Sequence, residues 1–315
     1  MSVLAQNGSS ARAALHCPGC GVAQEEATVL LHGRDRLTGA PGSFEVLGCG
    51  DCGLAFTEPR IGPADFDTYY PDSYSAYVPR ARMQRRSLGE RIDELHLEAL
   101  ARFGPYRRVW QLPAGRILDV GCGTGDLAAV FARRGWQAFG IEPSAQAAEL
   151  AREAGVEAVN GTLADAPWED GYFDAIVFNH SLEHIDDPAE ALETAARLLR
   201  PGGLLAIAVP NFGSWHRRVF GSAWFQLDLP RHLQHFDRSS LAQLVRRSGL
   251  QPIAASAASM RPSPLGSIQY ALLGGMRYEG RWFRVLAWVL SPLLLLSDRV
   301  GEGDCLHLIA AKDPA

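Results

Sequence analysis

Two carboxylates flank a glycine-rich turn in the middle of the chain, and their spacing indicates a ligand site. Asp119 lies in an apolar run, two residues before the first glycine of the sequence GCGTG at residues 121–125. Glu142 ends a second apolar run, which follows a helical pattern. The order strand, glycine turn, helix and strand predicts a βαβ unit with a right-handed crossover. Because open α/β sheets bind ligands at the carboxyl ends of their strands, we expect both acids at one site.

The residue types restrict the ligand. Glycines let the backbone approach a ligand closely, the following helix directs amide donors at the site, and Glu142 is placed to accept hydrogen bonds from ribose hydroxyls. Asp126 occupies the third position of the dinucleotide fingerprint, where a carboxylate would lie near a pyrophosphate. Asp119 is placed to hold a cationic amine. S-adenosylmethionine (SAM) has an amine, a ribose and no phosphate, and fits this pattern. A nicotinamide-binding or degenerate βαβ unit is the alternative.

The sequence DVGCGTG at residues 119–125, together with Glu142, resembles the SAM site of the class I methyltransferases. Three further motifs follow in that family's order: F-D-x-I-x-x-N at 173–179, L-E-H-I-x-D-P at 182–188 and L-L-R-P-G-G-x-L at 198–205. The resemblance covers roughly residues 115–211. It implies an α/β fold with a doubly wound, Rossmann-like sheet of seven strands and an antiparallel last strand. It also implies transfer of the sulfonium methyl group to an acceptor.

The resemblance further implies which residues contact the cofactor. They are Asp119, Gly121, Cys122, Gly123, Gly125, Glu142, Pro143, Thr162, Leu163, Asn179 and His180. His180 is expected to face the methionine end of SAM through its backbone. Thr162 is a departure, because many members of the family have an acid at this position near the adenine. Asp165 lies close enough in sequence to compensate.

The segment 210–237 is the predicted acceptor pocket. It leaves the fifth predicted strand at the ligand edge of the sheet, and a connection of this length is usually functional. Histidine titrates near neutral pH and is the natural base for a hydroxyl or an acidic carbon. His232 is the first candidate for this base, His235 the second and His184 the third. Structural contacts to the neighbouring loops are the alternative for each.

Four cysteines form two C-x-x-C pairs, Cys17 with Cys20 and Cys49 with Cys52. Each pair presents two sulfurs from one turn, and Zn²⁺ prefers four thiolates in a tetrahedron. Strand-like segments and a glycine-rich turn separate the pairs, and the whole resembles a zinc ribbon. Structural zinc would supply much of the folding energy of so small a unit. A redox dithiol is the alternative, although such sites usually have a single pair. The ribbon could bind nucleic acid, cover the substrate site or form a dimer contact.

Two further segments leave alternatives open. Residues 61–112 form an aromatic and basic helical linker, whose arginines between 80 and 108 face either solvent or a phosphate. Its tyrosines either pack the linker on the catalytic domain or form a lip over the substrate; they are Tyr69, Tyr70, Tyr74 and Tyr77. Residues 262–304 form a hydrophobic helical insertion. Its apolar run 282–296 is too short to cross a membrane and is expected to be a lid, a dimer contact or an interfacial helix.

Composition and length set the domain plan. The 315 residues are 47% hydrophobic, with a formal net charge of −5, which argues against a dominant nucleic-acid surface. We predict a disordered tail at 1–14, a zinc ribbon at 15–60, the linker at 61–112 and a methyltransferase domain at 113–315. The start lacks an apolar signal-peptide region, and paired C-x-x-C motifs are typical of a reducing compartment. We therefore expect a cytoplasmic protein, with peripheral contact to the inner membrane through 282–296 as an option.

These observations favour a SAM-dependent methyltransferase with structural zinc, acting on a small-molecule acceptor that is free, lipid-linked, sugar-linked or nucleotide-linked. A ribosomal or transfer RNA methyltransferase is the first alternative, in which the ribbon and the arginines would bind phosphates. The second is a non-catalytic zinc-ribbon scaffold, because a fold does not fix a function. The sequence leaves a homodimer open.

Overall fold

The computed structural model describes residues 15–24, 27–62, 65–70, 88–260, 262–277, 283, 285–286, 289, 298 and 301–314. The predicted tail at 1–14, Tyr74, Tyr77 and most of the apolar run 282–296 lie outside the described residues. The strands are β1 (Leu15–His16), β2 (Ala23–Gln24), β3 (Thr28–Gly33), β4 (Phe44–Gly48), β5 (Ala55–Glu58), β6 (Arg116–Val120), β7 (Gln137–Glu142), β8 (Glu157–Asn160), β9 (Phe173–Asn179), β10 (Leu199–Pro210), β11 (Gln234–His235), β12 (Gln251–Ala258) and β13 (Cys305–Ala311). The helices are α1 (Phe66–Tyr69), α2 (Leu88–Phe103), α3 (Arg107–Trp110), α4 (Asp126–Arg133), α5 (Ala145–Glu153), α6 (Pro188–Leu198), α7 (Trp215–Phe220), α8 (Arg238–Arg247) and α9 (Ser263–Leu273).

The largest sheet has seven strands in the order β12-β13-β10-β9-β6-β7-β8. The pairs from β10 to β8 are parallel, whereas β13 is antiparallel to both β10 and β12. The strand β9 is buried almost throughout, as expected for a parallel strand that is covered on both faces. The predicted fold class and the antiparallel last strand are confirmed. The carboxyl ends of β6, β7 and β9 meet at one edge, where the predicted site residues lie.

Local capping signals set the starts of the helices that follow these strands. The side chains of Ser144, Asp187 and Asp237 accept hydrogen bonds from the third residue of α5, α6 and α8, as the sequence predicts. One boundary differs. A glycine pair such as Gly202-Gly203 is expected to precede a strand, but β10 begins at Leu199, and its pairing with β9 is irregular between Leu199 and Leu204. The Arg-Pro-Gly-Gly segment therefore lies inside an interrupted strand.

A second sheet joins the N-terminal region to the segment 210–237. Its order is β11-β5-β4-β3, and all of its pairs are antiparallel. The strand β11 comes from the segment 210–237, whereas the other three come from the cysteine-containing region. Two bonds from Thr57 reinforce the contact: its amide donates to Leu233 O and its hydroxyl to His232 O. The N-terminal sheet therefore packs directly against the predicted acceptor segment.

Among the described residues, no helix combines the length and the apolar character needed to span a bilayer.

Candidate functional site

The glycine turn after β6 depends on backbone conformations that favour glycine. Gly121, Gly123 and Gly125 have φ values of +70°, +53° and +81°. A Cβ at Gly121 would lie 2.6 Å from the Cβ of Ser181. The Ser181 hydroxyl donates to Val120 O at 2.5 Å. The turn is therefore in direct contact with the loop that follows β9.

Glu142 is held beneath this turn at the end of β7. Its Oε2 accepts the amide of Gly123 at 3.0 Å, and its Oε1 accepts the amide of Ser144 at 2.9 Å. Burial raises the pKa of Glu142, and these two hydrogen bonds oppose the increase. Each carboxylate oxygen accepts more than one hydrogen bond, so acceptor capacity remains for the hydroxyls of a ribose.

Asp119 presents a buried carboxylate at the end of β6. It is 3% exposed, and its Oδ1 has no hydrogen-bond partner among the described residues. Burial, followed by the charges of Glu142 and Asp126, raises the pKa of Asp119 to about 7. A buried carboxylate without a partner is costly, and a ligand cation would remove that cost. The residues present therefore fit the ammonium group of SAM.

The loop after β8 is ordered by its own side chains. Asp165 accepts hydrogen bonds from the amide and the hydroxyl of Thr162 at 3.2 and 2.8 Å, forming a capping box. These bonds lower the pKa of Asp165. Leu163 is buried in the core. The Asp165 carboxylate therefore stabilises the conformation of the loop that is predicted to contact adenine.

Two residues at the end of β9 are held from opposite sides. Asn179 Oδ1 accepts the hydroxyl of Tyr106 at 2.5 Å. His180 adopts a left-handed conformation with φ +55°, and its amide donates to Ala208 O. Its ring lies 3.5 Å from Cys305 Sγ and 3.4 Å from Glu183 Oε1. Burial would lower the pKa of His180, but the interactions with Cys305 and Glu183 outweigh it and raise the pKa well above its usual value.

Glu183, His184 and His232 form a group that we name the acceptor-edge cluster. One ligand atom from each lies within 4.8 Å of the others. The Nδ1 atoms of His184 and His232 lie 2.9 Å from Arg231 O and Gln226 O. A carbonyl only accepts, so each neutral ring carries its proton on Nδ1 and keeps a lone pair on Nε2. The Leu233 amide donates to Glu183 O at 2.8 Å and joins the two loops.

Two members of this cluster, Glu183 and His232, are buried. Burial, followed by the charge of His184, lowers the pKa of His232 well below its usual value. Glu183 is fully buried; His180 Nδ1 lies 3.4 Å from its Oε1, and its Oε2 has no hydrogen-bond partner among the described residues. The cluster therefore offers unprotonated imidazole nitrogen and carboxylate oxygen close to the carboxyl ends of β6, β7 and β9, where the predicted cofactor residues lie.

A family model described as a methyltransferase domain matches residues 85–255, which is more than half of the chain. The chain belongs to this methyltransferase domain family.

Curated relatives agree with this assignment. The ubiquinone biosynthesis O-methyltransferase of Xanthomonas campestris pv. campestris (strain B100) is 32% identical over 156 residues, covering 44% of this chain and 64% of the relative. The same-named protein of Burkholderia pseudomallei (strain 1710b) is 30% identical over 176 residues, covering 50% and 76%. The chain thus spans 64% of the length of the first of these relatives.

Solved structures agree in fold. The crystal structure of the 4+2 cyclase SpnF has a TM-score of 0.51 and 21% sequence identity, and the match covers 74% of this chain and 86% of that one. At this level of identity the likeness concerns the fold alone.

Within this methyltransferase domain, the structure separates the three histidine candidates. His184 and His232 belong to the acceptor-edge cluster, with ring centroids 4.7 Å apart. His235 lies on β11, where its Nε2 is 2.9 Å from Thr57 Oγ1 and its ring packs against Phe212. Burial, followed by the charge of Arg217, lowers the pKa of His235 to about 3. His235 thus contacts the N-terminal sheet and lies outside the cluster.

Two tyrosines of the linker at residues 61–112, Tyr70 and Tyr106, reach the methyltransferase site. Tyr70 lies with its hydroxyl 3.4 Å from His184 Nδ1 and its ring edge-on to that imidazole. Its neighbour Tyr69 instead packs on Phe44 and donates to Pro41 O. Tyr106 was not among the predicted site residues, because a single tyrosine beside a basic helix carries no sequence signal. For Tyr70, the sequence signal was the high density of tyrosines between residues 69 and 77.

A buried arginine fixes the acceptor loop. The Arg231 guanidinium is fully buried and bonds to both oxygens of Asp35, at 2.8 and 3.0 Å, and to Asp228. Burial would raise the pKa of Asp35, but the hydrogen bonds from Arg231 and Thr38 outweigh it and lower the pKa. Because Arg231 O is the acceptor for His184, this ion pair sets the position of the cluster. Sequence analysis missed Arg231 and Asp35, which are 196 residues apart.

The four N-terminal cysteines converge. Their Sγ atoms lie within 4.8 Å of one another. The Sγ atoms of Cys17 and Cys52 are 3.5 Å apart, and those of Cys20 and Cys49 are 3.7 Å apart. Four thiolates around one Zn²⁺ at 2.3 Å would be about 3.8 Å apart. The residues present therefore fit a tetrahedral zinc ion.

Proposed function

We propose that this protein transfers the methyl group of SAM to a hydroxyl oxygen of a small-molecule acceptor. The observation that carries the proposal is the buried Asp119 carboxylate, whose Oδ1 has no hydrogen-bond partner among the described residues and which lies beside the glycine turn and Glu142. This arrangement suits a ligand with an ammonium group and a ribose. The family membership of the chain points to the same cofactor.

Each predicted cofactor residue has a role in this proposal. Asp119 would bind the ammonium group, and Glu142 would accept the ribose hydroxyls with the capacity that remains on its oxygens. The backbone of residues 121–125 would line the ligand, and Pro143, Thr162 and Leu163 would lie along the adenine. Asn179 and His180 would contact the methionine end. When bound, the cofactor supplies an electrophilic methyl group on a positively charged sulfur.

The names of the curated relatives, which describe O-methyltransferases, support an oxygen acceptor. The chain supplies groups that suit a hydroxyl: the Nε2 atoms of His184 and His232 carry lone pairs, and His232 remains neutral at physiological pH. His232 therefore remains the first candidate for the group that accepts the hydrogen bond of the acceptor hydroxyl. Alignment of the hydroxyl with the methyl group would supply most of the rate.

Burial favours a small acceptor over RNA. His232 is 6% exposed and Glu183 is fully buried, so a base within a folded RNA would have to leave its stack to reach them. The N-terminal sheet packs on the acceptor segment through Thr57 and His235, which suits a structural cover for the site. A homodimer and a membrane contact through residues 282–296 stay predictions.

We further propose that Cys17, Cys20, Cys49 and Cys52 bind one structural Zn²⁺ in the predicted ribbon at 15–60. The convergence of the four Sγ atoms supports this. Purified protein should contain one zinc per chain by mass spectrometry, and a Cys20→Ser/Cys52→Ser variant should contain none at that site. A wild type that folds fully after chelation, with an unchanged melting temperature, would contradict a structural ion.

Calorimetric titration with S-adenosylhomocysteine tests the cofactor site. We expect micromolar binding by the wild type and at least about 10-fold weaker binding by Asp119→Asn, because a charge-assisted hydrogen bond contributes about 1.5–3 kcal/mol. Asp126→Asn removes the same charge from the other end of the glycine turn and should bind within about 3-fold of the wild type. Radiolabelled methyl transfer to a panel of phenols and sugar hydroxyls then tests the reaction. Folded wild type that binds no S-adenosylhomocysteine would refute the proposal.

A further inference from the structure

We propose that Glu183, His184 and His232 bind a divalent transition-metal ion, and that the acceptor hydroxyl binds as a further ligand of that ion. The second half of this statement rests on the proposed function, whereas the metal site stands on its own geometry. The site is distinct from the four cysteines, which use thiolates and lie in the N-terminal region.

The donor set suits such an ion. Two imidazole nitrogens and one carboxylate oxygen are typical ligands of zinc, manganese and iron, and three protein ligands leave positions open for a substrate oxygen. The ligand atoms lie within 4.8 Å of one another. Bonds of about 2.0–2.2 Å to one ion place neighbouring ligands about 3–3.5 Å apart. Small rotations of the three side chains would close the remaining gap.

Both imidazoles are already oriented as metal ligands are. A ligating histidine usually donates its other ring N–H to a backbone carbonyl or a carboxylate, which fixes the tautomer. His184 makes this bond to Arg231 O and His232 makes it to Gln226 O, each at 2.9 Å. The Nε2 lone pairs are therefore the atoms left to bind a ligand.

Glu183 gives independent support. It is fully buried, and His180 Nδ1 lies 3.4 Å from its Oε1. Oε2 has no hydrogen-bond partner among the described residues. Oε2 is therefore the buried carboxylate oxygen that is left to bind a metal ion or a ligand donor.

The cluster as a whole is a set of acceptors. With both protons on Nδ1, the two Nε2 atoms and the Glu183 carboxylate have no proton to share among themselves. Asp228 Oδ2, 3.9 Å from His232 Nε2, adds another acceptor. A metal ion satisfies all of these lone pairs at once.

The position of the cluster suits a direct role in the reaction. Ser181 contacts the glycine turn at Gly121, and Glu183 follows two residues later in the loop. A hydroxyl bound to a divalent cation at this edge would lose its proton more readily, and the Asp228 carboxylate, 3.9 Å from His232 Nε2, would receive that proton. In the metal-bound protein, His232 would then act as a ligand, and the ion would activate the acceptor.

The test uses full-length, zinc-loaded protein and MnCl₂ alone, without SAM or acceptor. Mn²⁺ favours nitrogen and oxygen ligands over thiolates, so it distinguishes this cluster from the cysteine site. We expect one additional Mn²⁺ per chain by calorimetry and electron paramagnetic resonance. Glu183→Gln and His232→Gln should each weaken binding by at least 10-fold. His235→Gln is the matched control, because it removes a buried histidine of the same segment from outside the cluster.

A second measurement does not depend on how the variants fold. In the wild type, Mn²⁺ should broaden the ring NMR signals of His184 and His232 before those of His32, which is exposed on β3. The proposal is overturned if the wild type binds no Mn²⁺, Zn²⁺ or Co²⁺ beyond the cysteine site, or if His232→Gln binds as the wild type does. Binding of S-adenosylhomocysteine, measured in the same samples, reports separately on the proposed function.

Discussion

Replacing Asp119 with asparagine should make the cofactor-free protein more stable while it weakens cofactor binding. The Asp119 carboxyl is fully enclosed, and its pKa rises from an ordinary 3.8 to about 7. At pH 8 the folded protein therefore keeps a charged group that its surroundings disfavour. The difference between the two pKa values corresponds to about 4 kcal/mol of lost folding free energy at pH 8. This is the most by which an uncharged side chain of the same shape would raise the unfolding free energy.

The dependence on pH follows from the sign of this shift. Because the pKa is higher in the folded protein than in the unfolded chain, the folded state binds this proton more tightly. The contribution of Asp119 to stability is therefore largest at acidic pH, falls as pH rises from about 4 to about 7, and stays low above pH 7. The advantage of Asp119→Asn should accordingly shrink by more than about 1 kcal/mol between pH 8 and pH 6.

Urea unfolding of the wild type, Asp119→Asn and Asp126→Asn at pH 6, 7 and 8 measures this effect. Asp126 is only half-buried, so its replacement should change the unfolding free energy much less. The reasoning fails if Asp119→Asn is less stable than the wild type at pH 8, or if its advantage is independent of pH. Either result would mean that the carboxylate already has a partner in the cofactor-free protein.

Three further predictions concern the same region. The affinity of the wild type for S-adenosylhomocysteine should fall about 10-fold from pH 8 to pH 6, because Asp119 must lose its proton to bind a cation; a flat calorimetric profile would contradict this. Tyr106→Phe leaves Asn179 Oδ1 without its donor and should weaken cofactor binding about 5-fold or more, whereas an unchanged dissociation constant would exclude that role. Arg231→Met should lower the unfolding free energy by about 3–5 kcal/mol, because it leaves Asp35 buried and unpaired. Arg231→Lys should recover part of this loss, and equal losses in the two variants would show that charge is irrelevant.

The parts of the fold that sequence predicted well are encoded locally. The glycine turn needs left-handed backbone at Gly121 and Gly123, which few other residues adopt. Ser144 and Asp187 satisfy amides three residues away. The parallel strands are continuous apolar runs because both of their faces are covered. Each of these signals acts within a few residues, so it is visible in the sequence before the chain is folded.

The acceptor-edge cluster and the second sheet depend on contacts between residues that are far apart in the sequence. His184 and His232 are 48 positions apart in the sequence, and nothing local indicates that they converge. The bond between Arg231 and Asp35 and the pairing of β11 with β5 join parts of the chain that are more than 170 residues apart. A two-residue strand such as β11 has no periodicity to detect, and a buried ion pair depends on which loops pack together.

The sequence by itself determined the seven-stranded sheet, the glycine turn and its two flanking acids, and the two cysteine pairs. Only the tertiary structure decided that His232 joins His184 and Glu183 while His235 supports the N-terminal sheet. It also decided that the Asp119 carboxylate is enclosed without a described partner at Oδ1. The reason is physical: turns, caps and strand runs are set by neighbours along the chain, whereas the chemistry of a side chain is set by burial and by partners that folding brings from distant segments.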